Sequence, residues 1–248
     1  MEFLRAFTYM FRDQHWLIKL AETALLVVLC PLPVIGLLCL CALLGYLAEI
    51  IHNVSSDYPR PLPEWDHIGE DIGKGAHALL AIALYHLPLV FVIALLYVAR
   101  ETLAVSLFGS LTFAGVLVAI MPFLMIYFFF AWTLLAIGLV NYAESWDSGA
   151  FYQFNKLLRS VGNHRVLALQ WLVYSLAASM ILLLLLPLAP FLFFPVQGYL
   201  TGNYGRRLRA ARMARRDAYA TPEPAADVTG LGFVRPEGQA PLRRNETA

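Results

Sequence analysis

Residues 23–48 read TALLVVLCPLPVIGLLCLCALLGYLA and hold no Lys, Arg, Asp or Glu. Three further runs, 75–98, 110–140 and 166–200, are equally free of charge. A bilayer core ~30 Å thick needs ~20 apolar residues in helix, and each run reaches that length. Hydrocarbon offers no partner to a backbone amide, so segments that cross it must be helical. The expected fold is therefore an all-α polytopic membrane protein. Its four transmembrane helices fall at about 23–48, 76–98, 111–140 and 166–187. Composition agrees: 60% of residues are hydrophobic and 14% charged, against roughly 25% charged in an average soluble domain.

Between the spans, apolar residues recur at helical spacing on otherwise polar segments. Phe3, Phe7, Met10, Phe11 and Leu17 form such a stripe, as do Phe151, Phe154, Leu158 and Val161. Segments 3–17, 67–74 and 150–161 are accordingly expected to be amphipathic helices lying at the membrane surface. Trp16, Trp65 and Trp146 are expected interfacial anchors, because an indole is apolar but its N–H still needs a partner. Trp65 and Trp146 are each followed by an aspartate, Asp66 and Asp147. Both tryptophans are expected at one interface, with the carboxylates near helix starts. The last run carries Pro187, Pro190 and Pro195, so 188–200 is expected to be a broken or re-entrant segment. Segment 206–219 is an Arg-rich juxtamembrane stretch, and 220–248, rich in Pro, Ala and Gly, is expected to be disordered.

Four alternating crossings would place 1–22, 99–110 and 201–248 on one side and 49–74 and 141–165 on the other. Near the spans, ten basic residues then face five, with Arg206, Arg207, Arg209, Arg212, Arg215 and Arg216 in the larger group. The bias of Lys and Arg toward the cytoplasm puts both termini there, in a multi-pass protein of the cell membrane. The same six arginines suit anionic lipid headgroups, at roughly 1 kcal/mol per charge near the surface.

Little in the chain points to chemistry. Cys39 and Cys41 stand about 200° apart round a helix and cannot converge on a metal. His77 and His86, nine residues apart, fall on opposite faces of a regular helix. The cluster Glu64, Asp66, His67, Glu70 and Asp71 reads as a solvated face, with Asp66 capping the helix. There is no Gly-rich phosphate loop, nucleophile elbow or zinc-protease motif. No cofactor, metal, catalytic residue or nucleic-acid partner is expected, and the protein is read as a non-enzyme.

Beside the arginine cluster, one feature of the spans hints at function. Spans one and four are both interrupted by proline, at Pro31 and Pro33 and at Pro187 and Pro190. Each ends in Gly-Tyr-Leu, at Gly45-Tyr46 and Gly198-Tyr199. Running in opposite directions they would resemble the inverted pair of a transporter, with His86 on a polar pathway. The alternative role for these residues is helix packing. Absence of charge from every span argues against an ion-coupled pump but not against passage of a neutral or apolar solute. The leading reading is a membrane component or scaffold that contacts anionic lipid and another membrane protein or a second copy of itself. The alternative is a small permeation protein built on spans one and four.

The Gly45-Tyr46 pair, the run Leu62-Pro63-Glu64-Trp65-Asp66 with Gly75 beyond it, and Asn141-Tyr142-Ala143-Glu144 leading to Phe154 occur in a fixed order. They are followed by Gln197-Gly198-Tyr199-Leu200, Gly202 and Tyr204. This pattern, over roughly residues 5–207, resembles the domain of unknown function 4013 family. The resemblance implies a bacterial or archaeal integral membrane protein and brings no activity or catalytic residue with it.

Overall fold

Prolines decide where this chain turns. The computed structural model describes residues 3–103 and 107–220. Its described residues are almost wholly helical, in the order α1 (Arg5–Thr8), α2 (Trp16–Leu29), α3 (Pro33–Ser55), α4 (Ile68–Leu103), α5 (Leu107–Ser145), α6 (Phe154–Asn163), α7 (Arg165–Leu184) and α8 (Ala189–Ala220). Short 3-10 turns occupy Tyr9–Arg12, Ser148–Phe151 and Leu186–Leu188. Four helices are long and apolar enough to cross a membrane: Pro33–Ser55, Ile68–Glu101, Gly109–Ser145 and Arg165–Leu184. The protein is an all-α polytopic membrane protein. The chain divides into two units after Ala210.

The first expected span is not one helix. Pro31 separates α2 from α3, and Gly36 sits so close that a Cβ there would lie 2.0 Å from the Cys30 carbonyl oxygen. The arms fold back on each other: Lys19, near the start of α2, bonds the carbonyl of Leu62, which lies beyond the end of α3. The last apolar run behaves in the same way. Trp171 bonds Thr201, and Ser175 bonds Gln197. Both pairs are centred on Leu186, the signature of an antiparallel hairpin. The segment expected to be broken or re-entrant, 188–200, does fold back, but without a break beyond the turn: Leu188 ends the 3-10 turn and 189–200 is continuous helix. Pro187 lies in the turn and Pro190 in the first helical turn, where no amide donor is required. Helices α4 and α5 form the third hairpin, tied by Tyr142 to the Lys74 carbonyl and Tyr127 to the Tyr85 carbonyl.

Hairpins α2/α3 and α4/α5 are joined through glycine. A Cβ on Gly45 would meet the Asp71 carbonyl oxygen at 2.0 Å, and one on Gly75 the Cys41 carbonyl oxygen at 1.6 Å. Both contacts are backbone to backbone, so α3 and α4 cross as closely as two helices can. On the other side of α3, Gly198 meets Ile50 and Gly202 meets Val54. These two contacts share one offset, so α3 and α8 run parallel. That corrects the expected inverted pair: the two Gly-Tyr-Leu segments point the same way, each on the second arm of a proline-turned hairpin.

Sidedness changes with it. Arg206 pairs with Asp57 at 2.8 Å and Arg209 with Glu144 at 2.8 Å. The N-terminal segment reaches the same end, where Tyr9 donates to the Pro195 carbonyl and Lys19 holds Asp13. Both connecting loops, the N-terminal segment and the first arginines of the C-terminal cluster therefore share one end of the unit. The expectation set these loops on two sides, whereas the fold gathers them at one end. The premise of that expectation was that each uncharged run crosses once, whereas 23–48 and 166–200 each turn back.

Other expected boundaries shift less. The helix expected at 3–17 is α1 and a 3-10 turn, interrupted before α2. That expected at 67–74 is the first part of α4, and 150–161 divides into a 3-10 turn and α6. Segment 206–219 continues α8, and 221–248 lies outside the described residues.

The tips of the two short hairpins are bare hydrocarbon. Val34 is 75% exposed and Leu184 83%, and no charge lies between 23 and 48 or between 166 and 205. Their backbones suit a medium without water. Cys30, Leu32 and Gly36 donate to Val27, Leu29 and Leu32, and Leu185, Leu188 and Ala189 donate to Ile181 and Leu185. Pro31, Pro33, Pro187 and Pro190 have no amide to satisfy. Helix α2, with 14 residues, rises ~21 Å and falls short of the ~30 Å hydrocarbon. Helices α4 and α5, with 36 and 39 residues, rise ~54 and ~58 Å and carry Arg100 and Glu101 far from the polar end.

A polar pin sets the register of α7 on α8. Buried Gln197 accepts from the Ser175 hydroxyl at 2.6 Å and donates to the Ser175 carbonyl at 3.1 Å and the Ser179 hydroxyl at 2.9 Å. Gln197→Leu leaves the serines to find other partners. It is expected to cost ~0.5–2 kcal/mol, read as a lower midpoint of thermal unfolding in detergent.

Candidate functional site: the polar end

The end where the loops meet concentrates the protein's buried charge. Asp13 and Lys19, 5% and 6% exposed, form an ion pair at 2.9 Å. Lys19 also donates to the Leu62 carbonyl at 3.0 Å, and Asp13 accepts from the backbone amide of His15 at 2.9 Å. Lys19 thus bridges Asp13 and the Leu62 carbonyl, which clamps the N-terminal segment to the loop after α3. Burial pushes the Asp13 carboxyl up, but the Lys19 ammonium, the His15 amide and the Arg60 charge outweigh it, so its pKa is lowered.

On the neighbouring α3/α4 crossing, Lys74 pairs with Glu49 and Glu70 and lies 4.8 Å from the centre of the Trp146 ring. His52 is bonded through Nδ1 to the Ala143 carbonyl oxygen at 2.6 Å, and its ring lies 5.6 Å from Trp146. These groups fasten α3, α4 and the end of α5 together. Of the expected solvated cluster, Glu64, Asp66, His67 and Glu70 are exposed, with Glu70 near Lys74 and Glu64 3.9 Å from Lys19, whereas Asp71 is buried against α3. Among the described residues, no group of three or more His, Cys, Asp or Glu could hold a metal ion.

The anchor tryptophans lie at this end in different settings. Trp146 is partly exposed between His52, Tyr142 and Lys74, and Asp147 caps the following 3-10 turn by accepting from the Gly149 amide at 2.9 Å. Trp65 is stacked on buried Tyr46 at 4.3 Å, so it packs the α3 face, while Asp66 stands two residues before α4. Trp16 meets Phe11 edge-on at 4.8 Å. His86 bonds the Ile82 carbonyl of its own helix at 2.8 Å and faces Phe128. Gly45 and Gly198 serve the helix crossings, and Tyr199 stacks on Tyr9 at 4.6 Å. Arg207 is exposed; Arg212, Arg215 and Arg216 are exposed within the second unit.

Cavities open among these helices. One, of about 310 Å³, is almost wholly apolar and lies between α3, α4, α5, α7 and α8, with Trp132, Phe194 and Trp171 in its wall and Gln197 and Thr201 at its polar edge. Another, of about 340 Å³, lies at the polar end. Neither was legible in the sequence, because each draws its walls from segments far apart in the chain.

The crossing of α3 and α4 at Gly45 and Gly75, the Leu62–Asp66 loop and the end of α5 all fall within residues 28–194, which match the family model described as a protein of unknown function (DUF4013). The chain belongs to the DUF4013 family. The match covers the α3–α7 framework of this DUF4013 protein and stops just inside α8. No curated protein and no solved structure matches it.

Proposed function

We propose that this DUF4013 protein is a non-enzymatic membrane component that presents its polar end to a partner protein and to anionic lipid at the cytoplasmic face. The observation that carries this reading is the shared location of Asp57, Glu144, Arg206, Arg209 and the Asp13–Lys19 pair at one end, opposite apolar hairpin tips. An asymmetric molecule of this kind works from one face. The abundance of Arg and Lys there favours the cytoplasm. The exposed apolar flanks of α4 and α5, where Val118 is 75% exposed, suit lipid or a neighbouring membrane protein.

The apolar cavity supports a second reading, passage of a neutral or apolar solute. Against it stands the hairpin geometry: the proline turns close the inner ends of α2/α3 and α7/α8 rather than framing a path between two faces. Crosslinking in native membranes followed by purification in mild detergent tests the choice. A stoichiometric partner crosslinked through the 56–67 or 146–153 loops is expected. A lone protein that moves a neutral solute in liposomes would replace the scaffold reading with the second.

A further inference from the structure

The cavity at the polar end is lined by Arg5, Arg12 and Arg206, by Tyr9, Tyr58 and Tyr199, and by Asp57. Three arginines and one aspartate line it, a formal excess of positive charge, and Arg206 is the one paired with Asp57. We propose that it is a binding site for a phosphate ester, of which an anionic phospholipid headgroup and a soluble phosphate are the two sources.

Three features make this more than a charged surface. The arginines come from three places, the N-terminal helix, its 3-10 extension and α8, and are brought to one concavity by tertiary structure rather than by a sequence run. Arg206 gives Asp57 a single contact, from one terminal nitrogen at 2.8 Å. Most of its five donors therefore remain for a second acceptor. That pair is largely exposed and exchanges readily for a phosphate, which guanidinium binds in bidentate fashion. The tyrosine floor is fixed: Tyr9 donates to the Pro195 carbonyl at 2.9 Å and stacks on Tyr199. A volume of about 340 Å³ equals that of roughly ten waters, enough for a phosphate and a glycerol-sized substituent. Beside it, Arg5 and Arg12 also border a shallow depression with Phe3 and Leu4, which gives an acyl chain an apolar exit.

Asp57 then acts as a resident competitor. Its φ of 58° places it in the left-handed region, which asparagine tolerates well. Asp57→Asn should therefore keep the loop while removing the competing charge.

The lipid source rests on the proposed orientation toward anionic lipid; the phosphate site itself does not. The full-length protein in detergent is titrated with phosphatidylglycerol, phosphatidylcholine and sn-glycerol 3-phosphate, with bound species counted by native mass spectrometry. Phosphatidylglycerol is expected to bind in preference to phosphatidylcholine, and glycerol phosphate to compete with it. Arg5→Gln and Arg12→Gln should each weaken binding about tenfold. Arg12→Lys should retain part of it, Asp57→Asn should tighten it several-fold, and Arg159→Gln, exposed on α6, should leave it unchanged. Glycerol phosphate binding with this pattern but no lipid preference assigns the site to a soluble phosphate and removes the lipid part of the proposed function. A partner that fails to appear in the crosslinking experiment leaves the site intact. Equal retention of all three probes, or an Asp57→Asn variant that binds no more tightly while Arg12→Gln matches Arg159→Gln, overturns the proposal.

Discussion

Gly75→Val is expected to drive α3 and α4 apart and to lower stability by at least ~3 kcal/mol, the upper part of the range for overpacked cores. Even the Cβ of alanine would lie 1.6 Å from the Cys41 carbonyl oxygen, with Gly45 nitrogen at 2.7 Å. The obstacle is backbone, so no side-chain rotation relieves it. Gly45 faces the Asp71 carbonyl in the reciprocal position, and Gly45→Val should behave alike. Gly115, on exposed α5, has nothing within 4 Å of its Cβ position. Gly115→Ala is expected to stabilise slightly, by ~0.5–1 kcal/mol, because alanine loses less backbone entropy in helix. Thermal unfolding of the three variants in one detergent separates crowding from helix propensity. Equal midpoints for Gly75→Val and Gly115→Ala would show that the crossing is not close.

Breaking the Asp13–Lys19 pair from one side is the second large effect. Lys19→Ala leaves the buried Asp13 carboxylate with the His15 amide and the more distant Arg60 charge, and Asp13→Ala leaves a buried ammonium held by the Leu62 carbonyl with Glu64 at 3.9 Å. Each is expected to cost ~3–5 kcal/mol. Replacing both, as Asp13→Leu with Lys19→Met, should recover most of that loss, since well-packed apolar residues often match a buried ion pair. The pair also fixes a pH dependence. With its folded-state pKa lowered, Asp13 contributes stability above its unfolded value of ~3.9, and that contribution is lost as pH falls through the folded value. Stability from this pair should be level between about pH 5 and 7 and decline below about pH 4. Proteolysis of the N-terminal segment against pH reports this directly. Single variants as stable as the double one would contradict the clamp.

The class of the fold was legible because hydrocarbon selects composition over ~20 residues at a time, and runs such as 110–140 can be read without knowing their neighbours. The path of the chain through that class was not. Pro31 reads equally as a kink in one helix or as a turn between two; the choice depends on Gly36 packing against Cys30 and on Lys19 reaching Leu62. The same holds for Pro187, where the pairing of Ser175 with Gln197 decides. Counting Lys and Arg by loop inherits that ambiguity, so the charge bias was present but assigned to two sides. The polar end shows the limit most clearly. The apolar stripe around Arg5 and Arg12 and the cluster beginning at Arg206 were each visible in the sequence. Their meeting with Asp57, 149 residues before Arg206, is a property of the tertiary fold.

Sidedness is the claim on which the whole account turns, and single-cysteine labelling in sealed vesicles measures it. In a chain with Cys30, Cys39 and Cys41 replaced by alanine, cysteines are placed one at a time at Gln14, Ser56, Gln153 and Glu101 and exposed to a membrane-impermeant maleimide. Gln14→Cys, Ser56→Cys and Gln153→Cys are expected to label from the same side, and Glu101→Cys from the opposite one. Labelling of Ser56→Cys or Gln153→Cys from the side opposite Gln14→Cys would contradict the account and restore four alternating crossings.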